Sequence, residues 1–262
     1  MIGTKKRRLV LMETRKRRKK KRPLAALLFI GLLLGFVACT VKIPVPVTME
    51  IDRKAETREE KVDAVYTRLH VPLYCQYPSL PTGCEATAAA MALQYWGEEV
   101  TPEEVAENWL PAGNFYTLDG VQYGPDPRKE FVGNPFTTDS YGCYAPVIVD
   151  AINKNSTRCQ AEDYTGASLT ELFDCVSQGT PVLIWATVEM KPARVGNSWV
   201  LENGETFTWI AGEHCLVLVG YEDGMVYLND PYTGRQECYD IETVEERYEE
   251  LGCQAVLVYA AA

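Results

Sequence analysis

The sequence predicts an α+β domain over residues 65–262, with its helices early and an antiparallel sheet late. Three observations predict it. The stretch from Gly83 to about Trp96 is rich in alanine with Met91, Leu93 and Gln94, the composition of a buried helix, and Gly97 supplies its stop. Two β-rich runs, Cys215–Tyr221 and Met225–Asp230, flank Glu222-Asp223-Gly224, the pattern of a hairpin. The remaining signals place helices mostly before the hairpin and strands around and after it, with no internal repeat at a fixed period.

Ahead of this domain the composition changes twice. Residues 1–23 hold twelve of the 26 Lys and Arg against one acid, Glu13, including an unbroken basic run from Arg15 to Arg22. Leu24 to Val41 follows without a charge, and eighteen helical residues span roughly 27 Å, close to the thickness of a bilayer's hydrocarbon core. A basic block directly before an apolar span is the positive-inside pattern. The expectation is a cytoplasmic tail over 1–23, one transmembrane signal anchor over 24–41, and an extracytoplasmic remainder. Phe36-Val37-Ala38-Cys39 offers the alternative, a lipoprotein attached through Cys39. Residues 42–64, stiff at Ile43-Pro44-Val45-Pro46-Val47 and then charged, read as a stem.

Charge limits the domain's partners. Beyond residue 50 the chain holds 13 basic and 34 acidic residues, a balance of −21. Such a field repels nucleic acid and anionic lipid and favours cationic or zwitterionic partners.

Along the domain, Thr82 and Glu85 have the spacing of a capping box around the start of the alanine-rich helix. Thr101-Pro102-Glu103-Glu104 starts a second, short helix reaching about Leu110. Residues 111–139 are rich in Gly, Pro, Asn and aromatics and read as a long loop, either a cover for a cleft or a packed surface segment. An amphipathic helix covers Val147–Lys154, and Ser168-Leu169-Thr170-Glu171 caps another that Gly179 ends. A buried strand covers 181–188. The hairpin is followed by a strand near Gln236–Tyr239, an acidic helix from Ile241 to Leu251 and a closing strand over Gln254–Tyr259.

The chemistry-bearing residues fall at the ends of these elements. Cys84 lies in the first turn of the alanine-rich helix, where free N–H groups and the dipole favour a thiolate; a buried core cysteine is the alternative reading. His214 opens the first strand of the hairpin. With the turn at 222–224, residues near 214–216 face residues near 230–232, so Asp230 falls beside His214 and can orient its ring. Gln76, eight residues before Cys84, can help the Cys84 N–H stabilise an oxyanion. His70 has no acid near it in sequence and reads as a surface or core-edge residue.

Three segments together resemble a known group: Val71-Pro72-Leu73 through Gln76 to Leu80-Pro81-Thr82-Gly83-Cys84-Glu85; Gly212-Glu213-His214-Cys215-Leu216-Val217-Leu218-Val219-Gly220-Tyr221; and Asn229-Asp230-Pro231-Tyr232-Thr233-Gly234. The group is the papain-like cysteine peptidases related to the double-glycine leader peptidases that process bacteriocins, in particular their stand-alone branch. The exporter-fused members usually carry Gly after the cysteine, where this chain has Glu85.

The resemblance implies a papain-like fold, with the nucleophile's helix in an N-terminal helical part packed on a C-terminal antiparallel sheet. It implies Cys84 as nucleophile, His214 as general base, Asp230 as orienter and Gln76 as oxyanion donor, acting on a peptide or protein substrate. Two alternatives stand beside it: cleavage of peptidoglycan peptide bridges by the same residues, and a papain-like binding module without turnover.

No Cys-x-x-Cys or His-x-x-x-His spacing suggests zinc, and no Gly-x-x-x-x-Gly-Lys-Ser/Thr loop suggests ATP, so neither metal nor cofactor is expected. Nine cysteines in an exported chain invite disulfides, with Cys159–Cys175 or Cys238–Cys253 as candidate pairs, while Cys75 and Cys215 are expected in buried strands.

Overall fold

Alanine at five of twelve positions lets one helix be enclosed on almost every side. In the computed structural model, which describes residues 67–261, helix α1 spans Cys84–Tyr95 and every side chain from Cys84 to Leu93 is buried. A helix without a polar face has to sit at the centre of a fold. It lies against strands β7 (Val182–Thr187), β10 (Glu213–Glu222) and β13 (Ala255–Ala260) of the main sheet.

That sheet is antiparallel at every pairing and runs β12-β11-β10-β7-β13-β6, with β11 at Met225–Asp230, β12 at Arg235–Asp240 and β6 at Cys159–Asp163. The short β1 (Thr67–Arg68) pairs with the far end of β10, beyond the point where β7 stops. Strand β7 is buried along its whole length and β10 from Glu213 to Gly220. Both sheet faces are therefore covered at the centre. Helices α3 (Ala145–Asn155), α4 (Leu169–Ser177) and α5 (Ile241–Glu250) pack around it.

The local start signals hold where the side chains remain at the surface. Ser168 and Glu171 form a full capping box at α4. The Thr101 side chain accepts from Glu104 N–H at the start of α2 (Pro102–Glu104), which continues as a single π-helical turn over Val105–Trp109. The box expected at α1 does not form. Gly83 is its N-cap without a side-chain bond, the Thr82 hydroxyl donates to Thr137 O at 3.0 Å, and Glu85 turns into the core. A carboxyl with a buried backbone partner has no reason to fold back on its own helix.

Residues 111–139 are more ordered than a long loop. They contain β2 (Ala112–Gly113) paired with β5 (Phe131–Val132), and β3 (Tyr116–Leu118) paired with β4 (Val121–Tyr123). Residues 189–211, for which no element is predicted, supply β8 (Arg194–Val200) and β9 (Thr206–Ala211). These complete a second sheet in the order β3-β4-β8-β9. Phe115, Tyr141, Tyr144, Trp199, Phe207 and Trp209 pack ring to ring there, with centroids 5.0–6.4 Å apart.

The disulfide expectation is overturned among the described residues. Cys75, Cys84, Cys143, Cys159, Cys175, Cys215, Cys238 and Cys253 are all free thiols, so neither Cys159–Cys175 nor Cys238–Cys253 forms. Cys159 instead lies at an end of β6, its thiol facing Leu93 O, while Cys175 is half-buried on α4. Cys215 is buried as expected; Cys75 is exposed, because its segment runs along the surface instead of inside a strand. The tail, the anchor over 24–41, Cys39 and the stem lie outside the described residues. Among the described residues no helix is long and apolar enough to cross a membrane.

The Ser168 capping box is the clearest local contribution to stability. Replacing Ser168 by Ala is expected to cost about 1 kcal/mol, read as a lower urea midpoint at unchanged slope.

Candidate active site

The hairpin sets the histidine and the aspartate. Strands β10 and β11 pair through Tyr221↔Val226 and Val217↔Asn229 around the turn at Asp223-Gly224, with one irregularity between Leu218 and Gly220. Continued toward the open end, that register sets Asp230 opposite Leu216, two residues from His214, and the two side chains meet diagonally with Nε2 and Oδ1 2.7 Å apart. The two side chains are 2% and 1% exposed, so the pair is shielded from competing water. The same Asp230 oxygen accepts the Tyr232 N–H at 2.7 Å. Burial alone would raise the Asp230 carboxyl, but the His214 hydrogen bond and charge, with the backbone N–H groups of Tyr232 and Thr233, hold it below its usual value. An ionised carboxylate only accepts, so Nε2 carries the proton and Nδ1 is left as the basic nitrogen.

Gln76 reaches the same end of the hairpin. Its N–H donates to Pro231 O at 2.8 Å, and Asn229 Nδ2 donates to Val71 O at 3.1 Å, fastening residues 71–76 along β11. The Gln76 side chain is buried, and its Nε2 donates to Pro81 O at 2.9 Å, bracing the turn that leads into α1. Its Oε1 is buried without a hydrogen-bond partner. His70 is exposed, as expected of a residue outside the site.

Cys84 begins α1 and packs against the residues on either side of His214. Its thiol donates to Glu85 Oε2 at 3.3 Å, while the hydrogen bond of the imidazole goes to Asp230. The two groups are not hydrogen-bonded to each other. The expected easing of thiol ionisation by the helix start is reversed in this state. Burial, then the Glu85 and Glu213 carboxyls, push the Cys84 thiol well above its usual value, with the Cys215 N–H working the other way. Desolvation and two nearby acids outweigh half a helix charge.

Those two acids are the feature that sequence reasoning missed. Glu85 is fully buried, its Oε1 accepting from Cys143 N–H at 2.6 Å. Glu213, 8% exposed, enters from β10. A Cβ on Gly142 would meet Glu85 Oε1 at 2.3 Å and Glu213 Oε2 at 3.0 Å, so only glycine lets this loop pass over the two carboxyls. Burial pushes Glu85 up to about 7 against the pull of the Cys143 N–H. Burial and the Glu85 charge push Glu213 well above the usual carboxylate range. One signal was present in the sequence: a Glu beside each of the two singled-out residues, Cys84 and His214.

One donor atom from each of Cys84, Glu85 and Glu213 lies within 4.8 Å of the others, a thiol and two carboxyls near enough to meet one ion. Glu85 is already committed to the Cys143 N–H and the Cys84 thiol, however, and the arrangement reads as two acids holding a proton.

The acid pair fixes a sign for stability against pH. A carboxyl raised from 4.5 to about 7 keeps in the folded state a proton that the unfolded chain loses, so its contribution to stability falls as pH rises across that interval. Glu213→Gln is expected to match wild type below about pH 4 and to exceed it increasingly toward pH 8, measured as urea midpoints on both proteins.

Comparison with known proteins follows this geometry. The YvpB protein of Bacillus subtilis (strain 168), itself uncharacterised, is 32% identical over 192 residues, covering 72% of this chain and 75% of YvpB. A crystal structure assigned as a C39-like peptidase from Bacillus anthracis is 31% identical with a TM-score of 0.67, covering 75% of this chain and 98% of that one. A double-glycine-motif protease from an AMS/PCAT transporter, solved with its leader peptide, is more distant. It is 16% identical at a TM-score of 0.42, over 74% of this chain and 93% of that one. The family described as Peptidase_C39 like matches residues 68–256, which contain the alanine-rich helix and the His214–Asp230 hairpin, and the chain belongs to that family.

Proposed function

We propose that this protein is a membrane-anchored, extracytoplasmic cysteine peptidase that hydrolyses peptide bonds through Cys84, His214 and Asp230, with Gln76 at the oxyanion. The observation that carries the reading is the buried His214–Asp230 pair at 2.7 Å, on the strand against which the Cys84 helix packs. Membership of a peptidase-like family favours turnover over a scaffold kept only for binding. The location rests on the sequence, where the basic block over 1–23 precedes the uncharged run over 24–41.

In this reading the Nδ1 of His214 takes the Cys84 proton and the thiolate attacks the amide carbonyl. The Cys84 N–H and the Gln76 side-chain amide hold the oxyanion. The imidazolium, steadied by Asp230, gives its proton to the leaving amine. Water, activated by the same ring, then releases the acyl group and restores the thiol.

With a peptide library as substrate, Cys84→Ala is expected to remove hydrolysis while keeping the wild-type melting temperature. Asp230→Asn should lower the rate by roughly 10²–10⁴-fold, because the ring loses its fixed tautomer. Cleavage by Cys84→Ala at the wild-type rate would sink the mechanism.

A further inference from the structure

Beside the acid pair the two sheets leave a gap. The β8–β9 ladder slips between Val195 and Ser198, which takes Gly196 and Asn197 out of register. The chain then passes from β9 to β10 through Gly212, at a φ of +93° that favours glycine. Bulges of this kind re-aim side chains and occur often beside active sites. Between the slipped segment, the Gly212 corner and residues 140–141 lies a cleft of about 340 Å³. Tyr141, Asn197 and Trp209 line it together with Glu213, one carboxyl oxygen of which lies within 4.8 Å of the Cys84 sulfur.

Glu213 is what the cleft leaves unexplained. It is more than nine-tenths buried, and its Oε1 has no hydrogen-bond partner. The groups that act on it are Glu85 and Trp185, neither of them a cation. A buried carboxyl oxygen left unpaired is costly, and the cost disappears if a ligand supplies the missing donor. The walls narrow the choice of ligand. The Tyr141 hydroxyl already accepts from Asn197 Nδ2 at 2.7 Å, and the rings of Tyr141 and Trp209 present apolar surface with no further carboxylate. Such walls suit a short aliphatic stem ending in a positive charge better than a metal ion, which needs more oxygen ligands.

We infer that this cleft is a subsite for a primary ammonium of the substrate, a lysine side chain or a free N-terminus, held by the Glu213 carboxylate next to Cys84. The inference rests on the peptidase reading of Cys84. It adds a substrate class: peptides with a cationic nitrogen close to the scissile bond. It also gives the acid pair a purpose. An ammonium at Glu213 displaces the proton held there to solvent and leaves a balanced ion pair beside the thiol.

The test is calorimetric binding to the full chain at pH 7, using two matched pairs of probes. Nα-acetyl-lysine-N-methylamide against its Nε-acetyl form reports a side-chain ammonium; glycine-N-methylamide against its N-acetyl form reports an N-terminal one. The cationic member of one pair should bind at least about tenfold more tightly than its neutral partner, and Glu213→Gln should erase the difference. This comparison within the wild type holds even if the variant folds poorly. Equal binding of cationic and neutral probes overturns the subsite, as does an undiminished preference in folded Glu213→Gln. Binding of Zn²⁺ or Ca²⁺ without any ammonium preference overturns it in favour of a metal site. Cys84→Ala should keep the ammonium preference, so loss of the peptidase reading and loss of the subsite are told apart.

Discussion

The site depends on how closely the start of α1 approaches the start of β10. Alanines along the helix allow that approach, and the glycine at 142 lets a third segment close over it. The contact brings a thiol and two carboxyls together, with Glu213 next to His214 along β10. Most of the remaining core is filled by large aliphatic and aromatic side chains, among them Trp185, Ile148, Leu172 and Tyr248.

Close packing creates an electrostatic problem that the chain solves without a cation. Glu85 receives an N–H from Cys143 and a thiol proton from Cys84, and Glu213 keeps an unmet oxygen. Two buried acids this near each other cannot both be charged at low cost, so the pair holds a proton. The thiol and the acids therefore compete over which group is ionised. A nucleophile in such surroundings is held as the neutral thiol by burial and by the two carboxyls.

Much of the fold was legible because its signals are local. The α1 composition, the 222–224 turn, the N-cap at Thr101 and the capping box at Ser168 each act within a few residues, and each element appears where they place it. The His214–Asp230 pair was legible for a related reason: a tight turn fixes a register, and a register fixes which side chains meet. The second sheet was not. Its strands are as short as three residues, and β4 meets β8 through Tyr123↔Val200, partners far apart in the chain. Thr82 and Glu85 show the converse failure, since the right spacing for a cap was overridden by a buried partner in a distant loop. A local rule carries no information about a neighbour that folding brings in later.

The free thiols have a consequence for where such a domain can work. Its frame is held by burial and backbone pairing, with no sulfur–sulfur cross-link among the described residues. A reducing agent strong enough to rescue an oxidised nucleophile would therefore find nothing structural to cut. Oxidation reaches the exposed sulfurs of Cys75 and Cys238 long before it reaches those sealed beneath the sheet. The architecture thus tolerates swings in redox conditions that would unravel a small secreted scaffold built on bridges.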